Sequence, residues 1–254
     1  MKNNICVLIP ARYKSVRLPG KPLLKLGDQS ILLRTYNQIK KVFNEKDIYV
    51  LTDSKLVINE LKEKISNFIF TKGQYYSGTE RCSANIKKIK KKYRGYMIVS
   101  CDFPFISIKN LNKVFFGFNK ILEKKGYAGA TIHTNTYDKK IIESKKIPKI
   151  VLDSISDIIY FSRNPIPSNY KKKLKYLVHH GPVCLKYNVL KNFFKLKNSD
   201  LALSEENEWL GLIENGLKIR SSYVKNISRE INDIDDLNFY KKNILAKRNR
   251  INNN

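Results

Sequence analysis

Short apolar runs alternate with segments of helical periodicity along residues 5–101. Residues 5–10 (ICVLIP) form a continuous apolar run, which is typical of a strand covered on both faces of a sheet. Residues 31–43 then carry apolar side chains close to helical spacing. Because strands that alternate with helices indicate βαβ units, the sequence predicts an α/β fold with a mostly parallel sheet.

The alternation continues to the end of the chain, with a change of texture from residue 127. The predicted strands are residues 5–10, 47–51, 67–71, 96–101, 127–133, 149–153, 158–162, 177–185 and 217–224. The predicted helices are residues 31–43, 55–64, 79–93, 188–194, 204–215 and 233–245. We expect one domain over residues 1–246, with an inserted substrate or dimerisation region around 127–200, and a frayed tail over 247–254.

Lysine dominates the charge of the chain. The formal net charge is +27, and 39 of the 49 basic residues are lysine. A charge of this size is also found in nucleic-acid and polyanion-binding proteins, which form the alternative class for this sequence. Because the lysines are spread over the whole chain without a recognised binding motif, we expect solvated lysines and no nucleic-acid partner.

The apolar segments are too short for a membrane span, which needs about 20 residues. The first strand follows the N-terminus without an apolar signal region. Four widely spaced cysteines form no CxxC pair: Cys6, Cys82, Cys101 and Cys184. This pattern favours reduced thiols. We therefore expect a cytoplasmic protein without membrane insertion.

A loop dense in cations, residues 11–21 (the cationic loop), follows the first apolar run directly. Its cations are Arg12, Lys14, Arg17 and Lys21. Arginine offers forked donors to phosphate oxygens, and lysine offers a compact charge. Gly20 allows close approach of the backbone to a ligand. The loop predicts a phosphate-binding site, although Pro22 after Gly20-Lys21 excludes a Walker A motif.

Asp102 follows the apolar run 96–101, and Pro104 cannot continue a strand ladder. Ligands of open α/β sheets bind beyond the carboxyl ends of the strands, so Asp102 and the cationic loop are expected to face one crevice. A carboxylate that faces phosphates is a ligand Mg²⁺ prefers. Asp102 is therefore the candidate magnesium ligand, and the alternative is a turn aspartate ahead of a proline.

Residues 9–23 resemble the N-terminal signature of the 3-deoxy-manno-octulosonate (Kdo) cytidylyltransferases, I-P-A-R-x-x-S-x-R-L-P-G-K-P-L, without a gap. Further segments follow in the family's order: residues 52–53 (TD), 77–81 (SGTER), 149–153 (KIVLD), 160–167 (YFSRNPIP) and 179–181 (HHG). Together they span nearly the whole chain. The first segment and SGTER are the most specific, whereas SGTER by itself would also fit a helix N-cap.

The resemblance implies a Rossmann-like fold of the nucleotide-diphospho-sugar transferase type. It also implies a magnesium-dependent cytidylyltransferase that joins Kdo to CMP from CTP, releasing pyrophosphate, for lipopolysaccharide biosynthesis. CTP and an acidic sugar would be its partners, Mg²⁺ its cofactor, and a homodimer its assembly. Two alternatives keep the resemblance: another acidic sugar, such as amino-Kdo or a sialic acid, or a homologue that binds nucleotide without turnover.

The matching positions carry the family's roles. The predicted catalytic residues are Arg12, Arg17, Lys21 and Asp102. The predicted nucleotide-binding residues are Ala11, Arg12, Lys21, Ser77, Gly78, Thr79 and Arg81. The predicted sugar-binding residues are Arg163, His179, Glu205 and Glu208. The two glutamates are three residues apart in a predicted helix, which would place them on one face.

Three positions depart from the family pattern. Q-G-D-E-P is replaced by residues 100–104 (SCDFP), which keep the aspartate and the proline. V-D-T-P-E-D-L matches residues 231–237 (INDIDDL), which puts the neutral Asn232 at the second metal ligand. A one-residue gap would put Asp233 there instead. Gly211 replaces an arginine of the segment that borders the sugar site, which leaves the identity of the sugar open.

Overall fold

A ten-stranded sheet with helices on both faces forms the computed structural model, which describes residues 4–15, 17–179, 181–196, 199–226 and 228–252. Its strands, with one further two-stranded hairpin (β2 and β3), are β1 (Ile5–Pro10), β2 (Lys25–Leu26), β3 (Gln29–Ser30), β4 (Ile48–Thr52), β5 (Phe68–Phe70), β6 (Gly95–Ile98), β7 (Tyr127–Thr136), β8 (Lys149–Leu152), β9 (Ile158–Ser162), β10 (Tyr176–His179), β11 (Val183–Lys186) and β12 (Lys218–Tyr223). The helices are α1 (Ile31–Lys40), α2 (Lys55–Leu61), α3 (Gly78–Asn85), α4 (Ile108–Ile121), α5 (Lys139–Glu143), α6 (Tyr187–Asn192), α7 (Asp200–Ser204), α8 (Trp209–Glu214) and α9 (Ile234–Asn252).

The sheet has the order β5-β4-β1-β6-β11-β7-β10-β8-β9, with β12 pairing with β7. The N-terminal strands β5, β4, β1 and β6 are parallel, as is the β12–β7 pair. The pairs from β6 through β11, β7, β10 and β8 to β9 are antiparallel. The predicted α/β class is confirmed, and the change of texture from residue 127 corresponds to the antiparallel part of the sheet.

Strand β1 lies at the centre of the core. Val7 and Ile9 pack in one cluster with α1 and α4, whereas Cys6 and Leu8 pack in a second cluster on the opposite face with α3. All four side chains are fully buried. The continuous apolar run of β1 follows from this burial on both faces, since neither face meets water. The four cysteines are buried and free, as expected from their spacing.

Two predicted elements are each divided in the structure. Residues 177–185, predicted as one strand, form β10 and β11, because Pro182 between them has no N–H for a sheet ladder. Residues 204–215, predicted as one helix, contain the end of α7 and the whole of α8. Glu206 lies between these helices with a left-handed φ of 45°. The prediction that Glu205 and Glu208 share a helix face is therefore wrong.

Helices α4 and α9 show two further departures from the prediction. Helix α4 occupies a segment for which no element was predicted, although its buried residues Leu111, Val114 and Phe118 follow helical spacing. Helix α9 continues to Asn252, beyond the predicted end at residue 245. Among the helices of the described residues, none combines the length and the apolar character needed to cross a membrane.

Candidate active site

A cleft of about 570 Å³ opens where β1 and β6 end, beside Pro10 and Ser100. This is the place where open α/β sheets bind ligands. Eight residues singled out in the sequence line it: Arg17, Ser77, Gly78, Thr79, Arg163, His179, Glu208 and Asn232. The structure thus brings the cationic loop, the SGTER segment and the C-terminal half of the chain to one site.

Lys21 and Asp102 form a buried ion pair. The Lys21 Nζ lies 2.6 Å from Asp102 Oδ2, and the two side chains are 12% and 8% exposed. The same ammonium donates to the carbonyl of Ile231 at 3.1 Å. Burial alone would lower the pKa of Lys21, but the charge and hydrogen bond of Asp102, together with the nearby Cys101 and Glu230, raise it above the ordinary value. Lys21 therefore carries its charge at neutral pH.

The second carboxylate oxygen of Asp102 has a different environment. Asp102 Oδ1 is buried and has no hydrogen-bond partner within the described part of the chain. A buried, unpaired carboxylate oxygen is costly unless a cation or a donor completes it. Asp102 can therefore accept one more positive or hydrogen-bonding partner, in keeping with its predicted role as a metal ligand.

The cationic loop is tied to the sheet by Asp53. The backbone N–H of Tyr13 donates to Asp53 Oδ1 at 3.0 Å, and Arg81 Nη2 lies 3.1 Å from Asp53 Oδ2. Arg81 also donates to Thr71 and is only 3% exposed. The structure therefore places Arg81, predicted to bind nucleotide, behind the loop that it supports. Arg12 and Arg17 on the loop have exposed side chains.

Ser77 begins helix α3 and belongs to the cleft at the same time. Its hydroxyl accepts the N–H of Glu80 at 3.1 Å, which caps the helix, and the Glu80 carboxylate accepts the N–H of Tyr76, one residue before the cap. A Cβ on Gly78 would lie 3.0 Å from the Pro10 side chain, which explains the glycine where the helix start meets the end of β1. The capping interpretation of SGTER is compatible with its position in the cleft.

Glu208 is the most buried carboxylate of the cleft. Thr79 Oγ1 donates to Glu208 Oε1 at 2.7 Å. Glu208 Oε2 is buried without a hydrogen-bond partner among the described residues. Burial raises the pKa of Glu208 to about 7. Glu208 thus lies beside the predicted nucleotide-binding Thr79, whereas the sequence grouped it with Glu205 on the sugar side.

Arg163 connects two loops at the rim of the cleft. Its guanidinium donates to four backbone carbonyls, those of Lys145, Lys146, Glu205 and Glu206, at 2.8–3.1 Å. The Arg163 backbone N–H donates to the Glu205 carboxylate at 2.5 Å. Glu205 therefore holds Arg163 in place, and Glu206 rather than Glu205 lines the cleft.

Lys149, in β8, also supports the rim of the cleft that contains Arg163. It is fully buried, and its ammonium donates to the carbonyls of Ser144, Ile147 and Arg163 at 2.6–2.9 Å. Burial lowers the pKa of Lys149 to about 8. This contact brings residues 144–147 against Arg163, which places Lys145 and Lys146 in the wall of the cleft.

His179 ends β10 and is 6% exposed. Its Nε2 lies 2.9 Å from Thr131 Oγ1, and its ring meets Phe161 edge-on at 5.2 Å between centroids. The ring thus has a fixed orientation in the wall of the cleft. His179 therefore lies in the cleft, and its contact with a polar substrate stays a prediction.

The segment before α9 separates the two candidate metal ligands. Asn232 lines the cleft. Asp233 has both carboxylate oxygens engaged, since Oδ1 accepts the N–H of Asp236 at 3.1 Å and Oδ2 pairs with Lys146. The hydrogen bond from Lys146 lowers the pKa of Asp233 to about 2. The geometry therefore favours the gapless alignment, which gives Asn232 the position of the second ligand.

The cleft also has residues that were not singled out in the sequence, among them Lys145, Lys146, Trp209 and Glu230. Glu230 had a usable signal, because it lies two residues before Asn232 on the other side of the apolar Ile231. The lysines had none, since nothing in the sequence shows that Arg163 fixes their carbonyls. Across the described part of the chain, no group of three or more His, Cys, Asp or Glu residues is arranged as a metal cage.

Comparisons with known proteins identify the family. A sequence model described as cytidylyltransferase matches residues 6–225. The 3-deoxy-manno-octulosonate cytidylyltransferase of Rickettsia prowazekii is 30% identical over 240 residues, covering 93% of this chain and 94% of that protein. The protein of the same name from Bacteroides thetaiotaomicron is 32% identical over 222 residues, covering 84% and 87%.

Solved structures agree with this relationship. A CMP:2-keto-3-deoxy-manno-octonic acid synthetase complexed with CTP has a TM-score of 0.86 and 26% identity, covering 96% of this chain and 99% of that chain. The 4-diphosphocytidyl-2C-methyl-D-erythritol synthase of Anaerococcus prevotii, at 13% identity and a TM-score of 0.61 over 95% and 98%, shares the fold alone. The chain is a nucleotidyltransferase that belongs to the cytidylyltransferase family, and within it to the 3-deoxy-manno-octulosonate cytidylyltransferases.

Proposed function

We propose that the protein transfers CMP from CTP to Kdo and releases pyrophosphate, supplying CMP-Kdo for lipopolysaccharide synthesis. The observation that carries the proposal is the cleft itself. It combines Arg17 of the cationic loop, the start of α3 and a rim with Arg163 and His179, in a chain whose relatives are named for this reaction. The buried lysine–aspartate pair is joined through the Ile231 carbonyl to the segment that carries Asn232 into the cleft. We assign a different part of the two substrates to each part of the cleft.

The triphosphate would lie against the cationic loop. The positive charge comes from Arg12, Arg17 and Lys21. The backbone of Ala11 directly follows the end of β1. In the reaction, the anomeric hydroxyl of the sugar loses its proton to solvent and its oxygen forms a bond to the α-phosphorus, while the bond from that phosphorus to the bridging oxygen breaks. Pyrophosphate leaves with the bonding electrons. The cations stabilise the charge that develops on the phosphate oxygens, which is the main catalytic contribution in phosphoryl-type transfers.

A divalent cation fits beside the triphosphate. Asp102 has a buried carboxylate oxygen without a partner in the described ranges, and Asn232 lines the same cleft. Hard oxygen ligands of this kind suit Mg²⁺, which uses one or two protein carboxylates and takes its other ligands from water and phosphates. We assign Asp102 and Asn232 to the cation. When bound, it would neutralise phosphate charge as a Lewis acid.

The nucleoside would lie against the start of α3. Ser77, Gly78 and Thr79 offer hydroxyl and backbone groups in the wall of the cleft. Arg81 of the same helix binds Asp53 and Thr71 and so supports the neighbouring cationic loop. A small, polar wall of this kind reads the edges of a base through hydrogen bonds, so we assign the cytosine and ribose to it.

The acidic sugar would lie at the opposite rim. Arg163 and His179 line that part of the cleft, and Glu205 holds Arg163. Guanidinium and imidazole donors favour a carboxylate and its neighbouring hydroxyls. We therefore place the sugar between His179 and Arg163, next to the α-phosphate.

A substrate panel tests the proposal. Pyrophosphate release is measured with CTP, UTP, ATP and GTP, each with Kdo, amino-Kdo or N-acetylneuraminate, with and without Mg²⁺. We expect release with CTP and Kdo that requires Mg²⁺. Preference for another acidic sugar would change the substrate and keep the reaction, and absence of release with every sugar would overturn the proposal.

We also propose that the protein acts as a homodimer through the region around 127–200. Several large apolar side chains in that region are exposed: Tyr137, Ile155, Ile159, Tyr170 and Leu174. Exposed apolar surface is often covered by a partner. Sedimentation equilibrium is expected to give twice the mass of 29.6 kDa, and a monomer at all concentrations would contradict it.

A further inference from the structure

Glu230 belongs to the wall of the cleft, together with Asn232. Ile231 between them is fully buried in a separate apolar cluster with Leu18 and Leu237. The segment thus alternates, with two oxygen-bearing side chains facing the cleft and one apolar side chain facing the core. A carboxylate and an amide are presented from adjacent positions on one side of the chain.

This segment is fastened to Asp102. The Ile231 N–H donates to the Asp102 carbonyl at 3.1 Å. The Ile231 carbonyl accepts from Lys21 Nζ at 3.1 Å, and the same ammonium lies 2.6 Å from Asp102 Oδ2. Glu230 is therefore held one residue away from the buried lysine–aspartate pair.

Glu230 also orients Asn232. The Asn232 Nδ2 donates to Glu230 Oε2 at 3.1 Å, and the Asn232 backbone N–H donates to Asp236 Oδ2 at 2.9 Å. With its amide nitrogen directed to Glu230, the side chain of Asn232 presents Oδ1 as its accepting atom. The two side chains act as one oxygen-bearing unit.

Mg²⁺ sites in nucleotide-dependent enzymes often hold two carboxylates, and this segment offers several candidates for the second. Asp102 already faces Lys21, and Asn232 adds an oxygen but no charge. The other acidic residues of the segment point elsewhere: Asp233 caps α9 and pairs with Lys146, Asp236 pairs with Arg229, and Asp235 is exposed. Glu230 is the acidic side chain of this segment that lines the cleft.

We propose that Glu230 is a ligand of the divalent cation, with Asp102 as the other carboxylate and Asn232 Oδ1 as a neutral ligand. The inference rests on the proposed function for the presence of the cation. It replaces the carboxylate lost at position 232 with one two residues earlier, on the same side of the segment. Two carboxylates and substrate phosphates match what Mg²⁺ binds in nucleotide-dependent enzymes.

The test measures cation binding directly, with Mn²⁺ as the probe. The electron paramagnetic resonance signal of free Mn²⁺ is followed during titration with the protein, alone and with α,β-methylene CTP. Glu230→Gln is expected to weaken Mn²⁺ binding by about tenfold or more, as Asp102→Asn does, because each removes a charged ligand. Asp233→Asn, the rival ligand, and Asp235→Asn, the control for general charge, are expected to stay within about twofold.

Moving the carboxylate from position 230 to position 232 tests the inference by a recovery of Mn²⁺ affinity and not only by its loss. The double variant Glu230→Gln/Asn232→Asp returns the carboxylate to the neighbouring position and is expected to recover Mn²⁺ affinity to within about threefold of the parent. Circular dichroism and thermal unfolding verify that each variant is folded. Unchanged Mn²⁺ affinity in Glu230→Gln, or loss in Asp233→Asn instead, would overturn the inference.

Failure of the inference differs from failure of the proposed function. If the parent releases pyrophosphate from CTP and Kdo but Glu230→Gln binds Mn²⁺ normally, only the ligand assignment is wrong. If the parent shows no turnover while Glu230→Gln loses Mn²⁺, the cation site stands and the proposed reaction is wrong. If the parent binds no Mn²⁺, either alone or with α,β-methylene CTP, the inference is wrong.

Discussion

The ammonium of Lys21 lies 2.6 Å from the carboxylate of Asp102 at the edge of the cleft. The two residues are 81 positions apart in sequence, and the same ammonium reaches the carbonyl of Ile231. One side chain therefore joins the cationic loop, the turn after β6 and the segment before α9. The pair fixes the loop where a triphosphate would bind, and it keeps Lys21 charged.

Replacing Lys21 with methionine should remove turnover and reduce stability. The variant leaves the buried Asp102 without its ion partner, which costs about 3 kcal/mol in such pairs. Loss of the charge at the phosphates should lower kcat by about a thousandfold. Urea denaturation and pyrophosphate release measure the two effects.

The double variant Lys21→Met/Asp102→Asn separates them. Removing both charges should recover most of the free energy of unfolding, while turnover stays lost. A double variant no more stable than Lys21→Met would show that the pair contributes little to stability. Lys25→Ala, an exposed lysine of β2, is the matched control and should change neither quantity.

The pKa of Glu208 predicts a pH-dependent stability. Burial raises this pKa from 4.5 to about 7, so the folded protein binds more protons than the unfolded chain between these values. The free energy of unfolding should therefore fall as the pH rises from about 4.5 to 7, by about 3 kcal/mol for this group. Glu208→Gln should remove that part of the dependence.

Urea denaturation of both proteins from pH 4.5 to 7.5 makes the comparison. The exposed Glu63→Gln serves as control and should keep the parent's profile. If the parent and Glu208→Gln have parallel profiles, Glu208 does not titrate in this range.

Arg163→Lys should loosen the rim of the cleft. Lysine cannot reach the four carbonyls that the guanidinium binds, and each lost charge-assisted hydrogen bond contributes about 1–2 kcal/mol. We expect a higher KM for the sugar, an unchanged KM for CTP, and faster amide hydrogen exchange in residues 144–147 and 205–206. Normal exchange in both segments would contradict this positioning role.

Asp53→Asn should affect CTP rather than the sugar. Asp53 holds both the backbone of Tyr13 and the guanidinium of Arg81, so its charge fixes the cationic loop. We expect KM for CTP to rise by about tenfold and KM for the sugar to change by less than about twofold. Equal changes in both constants would place the effect elsewhere.

The sequence predicts best where a pattern reports a local environment. Strands β1 and β9 have the predicted bounds, since their apolar residues are set by burial in the sheet. The divided segment 177–185 shows the opposite case, because its apolar character continues through Pro182 while its backbone pairing cannot. Left-handed Glu206 divides α7 from α8 in the same way, without a glycine to signal it.

In the functional site, too, the residues that could be predicted are those with a local sequence signal. The cationic loop, the start of α3 and Asp102 could be predicted, because each follows a strand or begins a helix. The hydrogen bonds of the Arg163 guanidinium could not be predicted, because they go to backbone carbonyls of two distant loops. The side chains of those loops do not indicate these bonds. Asp233 and Glu230 are distinguished only in the structure, where Glu230 lines the cleft and the carboxylate of Asp233 caps α9 and pairs with Lys146.

The formation of CMP-Kdo tests the central claim most directly. The protein is incubated with CTP, Mg²⁺ and Kdo that carries ¹⁸O in its anomeric hydroxyl. The masses of the products are measured by mass spectrometry early in the reaction. The account predicts equal amounts of CMP-Kdo and pyrophosphate, with the label in the sugar–phosphate bridge of CMP-Kdo and none in pyrophosphate. Absence of CMP-Kdo, or label in the pyrophosphate, would contradict it.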